Sequence, residues 1–113
     1  MQNHIQFLVL GNGSNLIFVD KVIKLPVVKL CFNDDIFINN GFILVNGNMD
    51  NRKFSYAMKE KGIGNFSFLY CIPGSLAGSL YMNASCFNKC ISDELKYVEV
   101  YHIYYKKTNR RIS

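Results

Sequence analysis

No apolar run in this 113-residue chain approaches the roughly 18 consecutive residues that a membrane-spanning helix requires; even Ile5 to Leu10 is interrupted by Gln6. The opening Met1-Gln2-Asn3-His4 lacks a basic start leading into a long apolar stretch, so no secretory signal is read and the expected compartment is the cytoplasm. Charge is scarce as well. Charged residues make up 19% against 50% hydrophobic and 14% aromatic, a balance that excludes a disordered tail. There is no internal repeat or low-complexity linker, and the length suits a single domain, 1–113. Only two histidines occur, His4 and His102, both far in sequence from Cys86 and Cys90, so the C-x-x-x-C spacing is not read as a zinc site. With no export signal, all four cysteines (Cys31, Cys71, Cys86 and Cys90) are expected as reduced thiols. Acidic residues are outnumbered 8 to 13, giving +5, with a local cluster at Lys106, Lys107, Arg110 and Arg111. Such a cluster can meet nucleic-acid phosphates, but charge runs usually mark solvated faces, and a surface turn is the preferred reading.

What is present is a series of short β-type runs followed by one helical pattern. Ile5 to Leu10 reads as a strand entering the tight loop Gly11-Asn12-Gly13-Ser14-Asn15, with a further extended run at Leu16 to Val19. Val27 to Leu30, introduced by Pro26, is another short run. Ile36 to Ile38 and Phe42 to Val45 form a hairpin around Asn39-Asn40-Gly41, whose residues tolerate positive φ. From Asp50 the period changes: Asp50 caps a helix of about three turns, Phe54, Ala57 and Met58 share one face, and Gly62 ends it. Leu95 to Tyr105 reads as a long strand, and Lys106 to Arg111 as a turn with almost no return strand.

Two small-residue segments carry the chemistry. Residues 63–88 pass through Ile72-Pro73-Gly74-Ser75 and end near Met82-Asn83-Ala84; Gly, Ser and Ala there remove the side chains that would hold a ligand off the backbone. Pro73 fixes φ and hands the chain into a helix start. Free N–H groups at that start, with Ser75 at its mouth, suit an anionic or carbonyl-rich cofactor. The Gly11 to Asn15 loop has neither the lysine of a P-loop nor the third glycine of a dinucleotide fingerprint. Its successive N–H groups can still form a concave anion site, with Ser14 and Asn15 adding hydrogen bonds to a pyrophosphate.

Leu10-Gly-Asn-Gly-Ser-Asn-Leu16, followed about sixty residues on by Phe68-Leu-Tyr-Cys-Ile-Pro-Gly-Ser-Leu-Ala-Gly78 and Tyr81-Met-Asn-Ala84, resembles the UDP-N-acetylenolpyruvoylglucosamine reductase family, also called UDP-N-acetylmuramate dehydrogenase. The likeness extends to Ile91-Ser-Asp-Glu-Leu95 and the Val-Glu-Val strand after it. The resemblance implies an α+β fold: part of a vanillyl-alcohol-oxidase (PCMH-like) FAD-binding domain, mainly antiparallel sheet with a few helices. It implies an oxidoreductase of peptidoglycan precursor synthesis, in which NADPH reduces FAD and the flavin reduces the enolpyruvyl ether of a UDP-sugar. By motif, Gly11, Asn12, Gly13, Ser14 and Asn15 would cradle the FAD pyrophosphate. Ile72, Pro73, Gly74, Ser75 and Gly78 would line the flavin, with Met82 and Asn83 supporting that wall.

The departures also carry expectations. The family usually has glycine where this chain has Cys71, Ala77, Ser85 and Asn88, and tyrosine where it has Phe87. Asn88 is expected to take the left-handed conformation, whereas Ala77 and Ser85 are expected to crowd the flavin. The family's Val-Gly-Ala-Gly turn reads here as Val45-Asn46-Gly47-Asn48. Its N-terminal subdomain, its substrate-binding Tyr-Arg segment, its proton-donating serine and its late glutamate have no counterpart in these residues. A truncated portion without turnover of its own is therefore the expectation. Two alternatives are a flavin- or nucleotide-binding module completed by another chain, and a small basic nucleic-acid binder stacking bases on Tyr101, Tyr104 and Tyr105. No residue is assigned a catalytic role: His102 reads as structural, and Asp93 and Glu94 as a surface turn.

Overall fold

The computed structural model describes residues 6–101 and 109–112. His4, His102, Tyr104, Tyr105, Lys106 and Lys107, singled out above, lie outside them. The first strand, β1 (Leu8–Leu10), pairs in parallel with β2 (Val27–Lys29), Leu8 opposite Val27 and Leu10 opposite Lys29. The chain between them crosses over without a helix. Leu16 to Val19 joins no ladder, contrary to its strand-like composition, and Ile17 is fully exposed. Every residue from 14 to 35 is exposed.

β3 (Ile36–Asn39) and β4 (Phe42–Val45) form the expected antiparallel hairpin. Its two-residue turn places Asn40 at φ 49° and Gly41 at φ 77°, the double positive-φ geometry whose twist matches that of the flanking strands. Alternation along β4 turns Ile43 and Val45 toward the core and leaves Phe42 and Leu44 in solvent.

Helix α1 (Asn51–Glu60) begins as its sequence predicts, with the Asp50 carboxylate accepting the N–H groups of Arg52 and Lys53. It ends in a Schellman motif: Ile63 N–H reaches Met58 O at 2.8 Å, Gly62 N–H reaches Lys59 O at 2.9 Å, and Gly62 sits at φ 72°. The buried stripe is Asn51, Phe54, Ser55 and Met58, the i, i+3, i+4, i+7 rhythm of one helical face, but two of its members are polar. Against this face packs a 3-10 segment, Gly64–Cys71, that delivers Phe68 and Leu69. Phe66 meets Phe54 edge-on at 5.0 Å. Met49 and Leu76 complete a core in which Met58 and Leu69 have no exposure.

Helix α2 (Leu76–Met82) follows, capped by Ser75 and stopped by Asn83 in the left-handed conformation at φ 46°. A tight hairpin, β5 (Ser85–Cys86) with β6 (Lys89–Cys90), turns through Phe87 at φ 53° and Asn88 at φ 59°. Asn88 is left-handed as expected; that Phe87 is too was not foreseen. Finally β7 (Val98–Tyr101) pairs antiparallel with β8 (Asn109–Ile112). Arg110 and Arg111, read above as part of a turn, are ladder residues opposite Val100 and Glu99, so the return strand exists. The architecture is α+β, with three antiparallel pairs and one parallel pair among the described residues. No helix among them is long and apolar enough to cross a membrane.

Candidate functional site

The two glycine-bearing segments, some sixty residues apart in sequence, meet in space. A Cβ added to Gly11 would lie 3.1 Å from Ser75 Oγ, and one on Gly74 would lie 3.4 Å from Ser14 Oγ. Gly78, one turn into α2, would meet the same Ser75 hydroxyl at 3.2 Å, where its own N–H donates to that oxygen. Small residues at 11 and 78 are thus needed by Ser75 itself, which is buried. Gly74 has a second reason: its φ of 122° is open only to glycine.

This contact leaves one side of the pair facing outward. Asn12, Ser14, Asn15 and Pro73 are exposed, and Gly13 holds the left-handed turn of the loop at φ 74°. Among the described residues, no N–H from Asn12 to Asn15 donates to another segment, so the loop keeps the donors an anion would need. The helix start does not. Leu76 N–H donates to Met49 O at 2.9 Å, Ala77 N–H to Gly47 O at 2.7 Å, Gly78 N–H to Ser75 Oγ at 3.2 Å and Ser79 N–H to Ser75 O at 2.9 Å. The expectation of free amides at Leu76, Ala77 and Gly78 is overturned, because a distant turn and the cap consume all three, while the Ser79 bond is the first of the helix ladder.

The remaining residues implied by the resemblance are placed apart. Ile72 packs against the core through its side chain. Met82 and Asn83 lie at the other end of α2, roughly 10 Å along its axis from Ser75. Asn83 has local work, ending the helix and accepting Ser92 N–H at 3.3 Å. Ala77 is exposed, and its methyl would stand 2.8 Å from a Cβ on Gly47, so it also occupies room which that glycine leaves.

Three asparagines, whose bonding roles the sequence pattern does not show, hold this assembly. Asn46 Nδ2 donates to Asn33 O and Asn48 Nδ2 to Phe32 O, both at 2.9 Å, fastening the turn after β4 to the exposed segment before β3. Asn51, fully buried, donates through Nδ2 to Ile72 O at 3.0 Å and to Ser79 Oγ at 2.6 Å. Its Oδ1 is buried without a partner, a cost of about 1–3 kcal/mol that an apolar residue would not incur. Polar residues on a helix face read as solvent-facing, which is why the pattern hid Asn51.

Cys86 and Cys90 cannot act as a pair. In the two-residue hairpin Cys86 is opposite Lys89 and Cys90 opposite Ser85, so the two thiols point to opposite faces. No cluster of three metal-ligating side chains occurs among the described residues. The turn after β6 is a structural lock: Asp93 accepts Cys90 N–H at 2.9 Å, which holds its carboxyl below the usual range. Glu94, likewise lowered, is held first by Lys89 at 2.7 Å and then by Asn65 at 3.5 Å. Beside the Gly11 to Asn15 loop, Leu8, Leu10, Leu16, Phe18, Ile23 and Val27 help line an open apolar cavity of about 290 Å3.

No protein-family profile matches the chain. Individual proteins do. It is 39% identical over 89 residues to the UDP-N-acetylenolpyruvoylglucosamine reductase of Pelagibacter ubique, covering 77% of this chain and 30% of that protein. The reductase of the same name from Clostridium beijerinckii is 34% identical over 99 residues, 88% of this chain and 33% of the relative. That of Fervidobacterium nodosum is 32% identical over 83 residues, 74% and 27% respectively. The chain therefore spans about a third of the length of the curated relatives it matches.

Proposed function

Because the chain is similar to one part of UDP-N-acetylenolpyruvoylglucosamine reductases, we propose that it is a portion of such an enzyme and that the portion is its FAD-binding region. The observation that carries the reading is the meeting of Gly11 and Ser14 with Ser75 and Gly74. Two segments that must approach within van der Waals distance, one of them with unspent amides, suit a ligand that runs from a pyrophosphate to a flat ring. Gly11, Asn12, Gly13, Ser14 and Asn15 would hold the pyrophosphate, and Pro73 and Gly74 would face the ring system, in a PCMH-type fold. The α2 amides take no part. In that reductase FAD supplies hydride relay from NADPH to the enolpyruvyl ether of UDP-N-acetylglucosamine. The residues here bind and orient; none is positioned as an acid or base, so the UDP-sugar chemistry belongs to the complete enzyme in the cytoplasm.

A second reading concerns how the region is completed. The apolar cavity between Leu8 and Val27, and the exposed run from Leu16 to Ile23, suit a complementing polypeptide that carries the remainder of the reductase. The test is flavin titration followed by fluorescence. Weak, saturable binding is expected, which Gly74→Val should remove because valine cannot take φ 122°. NADPH consumption with the enolpyruvyl substrate should stay at background. No saturable binding up to about millimolar FAD, a level worth only ~4 kcal/mol, would sink the cofactor reading. Turnover by this chain alone would sink the assignment of the chemistry to other parts of the reductase.

A further inference from the structure

Asn51 is the first residue of α1, yet most of its bonds go to the turn around Pro73. Its backbone N–H donates to Gly74 O at 2.8 Å, and its Nδ2 donates to Ile72 O at 3.0 Å. One residue thereby holds the carbonyls of the residues on both sides of Pro73, which has no N–H to fix itself. The third bond, to Ser79 Oγ at 2.6 Å, ties the same amide to the first turn of α2.

A residue kept for packing alone would be apolar here. Asn51 instead leaves a buried Oδ1 unpartnered, so what it retains is direction, not stability. The direction matters because Gly74, on one side of the held turn, faces Ser14, and Ser75 faces Gly11. We propose that Asn51 is a positioning residue, which sets the Ile72 to Ser75 turn at the distance from the Gly11 to Asn15 loop that lets both segments present backbone to one ligand. What is presented rests on the cofactor reading above; what is held does not.

The test is amide hydrogen exchange on the full chain carrying Asn51→Leu, which keeps the branching and the backbone N–H of residue 51 but, with a larger apolar side chain, removes both side-chain donations. Exchange at Ile72, Leu76 and Ala77 should quicken by about tenfold, while Gly62 and Ile63, at the far end of α1, change by less than about twofold. Uniform quickening, or none, overturns the proposal. Should Asn51→Leu fail to fold, Ser79→Ala removes a single one of the three bonds and must give the same local pattern at smaller size; a uniform pattern there overturns it as well. FAD titration of the same proteins separates the two claims. Local quickening with weakened FAD binding supports both. Local quickening in a chain whose unaltered form binds no FAD supports the positioning claim and removes the cofactor reading alone.

Discussion

Residues 49–79 and residues 14–35 are both rich in large apolar side chains, yet among the described residues every buried one falls in the first stretch and every residue of the second is exposed. The difference is the second layer. Phe54 and Met58 share a helical stripe with a 3-10 segment laid across it, so each apolar side chain finds a partner on another element. Leu16, Ile17, Phe18 and Val19 follow a strand of three residues in a two-stranded sheet, which offers them no opposing layer. Hydrophobic composition alone decides nothing; geometry that brings two apolar faces together does.

The comparison breaks most visibly by truncating both stretches. Met58→Ala or Leu69→Ala should cost about 2–5 kcal/mol in urea unfolding, whereas Ile17→Ser should stay within about 0.5 kcal/mol. A comparable loss for Ile17→Ser would mean that the stretch from 14 to 35 is buried in solution. A finer probe is the margin of the buried block. Gly47→Ala puts its methyl 2.8 Å from that of Ala77 and should cost about 1–3 kcal/mol. The reciprocal pair, Gly47→Ala with Ala77→Gly, should recover most of that loss, and a double-mutant cycle with no coupling would refute the contact.

The smallest expected effect lies at the lock between Glu94 and Lys89, which fastens the β5–β6 hairpin to the turn that follows it. Glu94 has its folded pKa lowered from the ordinary 4.5, first by Lys89. The carboxylate form is the one stabilised, so its contribution is present above 4.5 and is lost as pH falls through the lower folded value. Partial exposure limits it to about 0.5 kcal/mol, and Glu94→Gln should flatten that part of the stability profile.

Much of the buried stretch was legible because its signals are local. Asp50 before an i, i+4 pair and Gly62 after it define α1, and Asn40-Gly41 defines the first hairpin without reference to anything distant. The candidate site was legible only through the resemblance, since no local pattern says that Gly11 touches Ser75. Three details escaped for related reasons. Met49 and Gly47, which consume the α2 amides, lie beyond the reach of any local window. Asn51 is polar in a place where polarity reads as solvent. Leu16 to Val19 has strand composition but no strand beside it, and β-propensity measures the fit to neighbours more than a backbone preference.

The hairpin of β5 and β6 has a bearing on how the molecule ages in air. Cys86 and Cys90 are four positions apart but face opposite ways, and so cannot close a ring with each other while the hairpin is formed. Cys31 and Cys71 are both exposed. An oxidant that reaches either hairpin thiol therefore cannot be answered by the other, and its first product there is something other than a staple across β5 and β6.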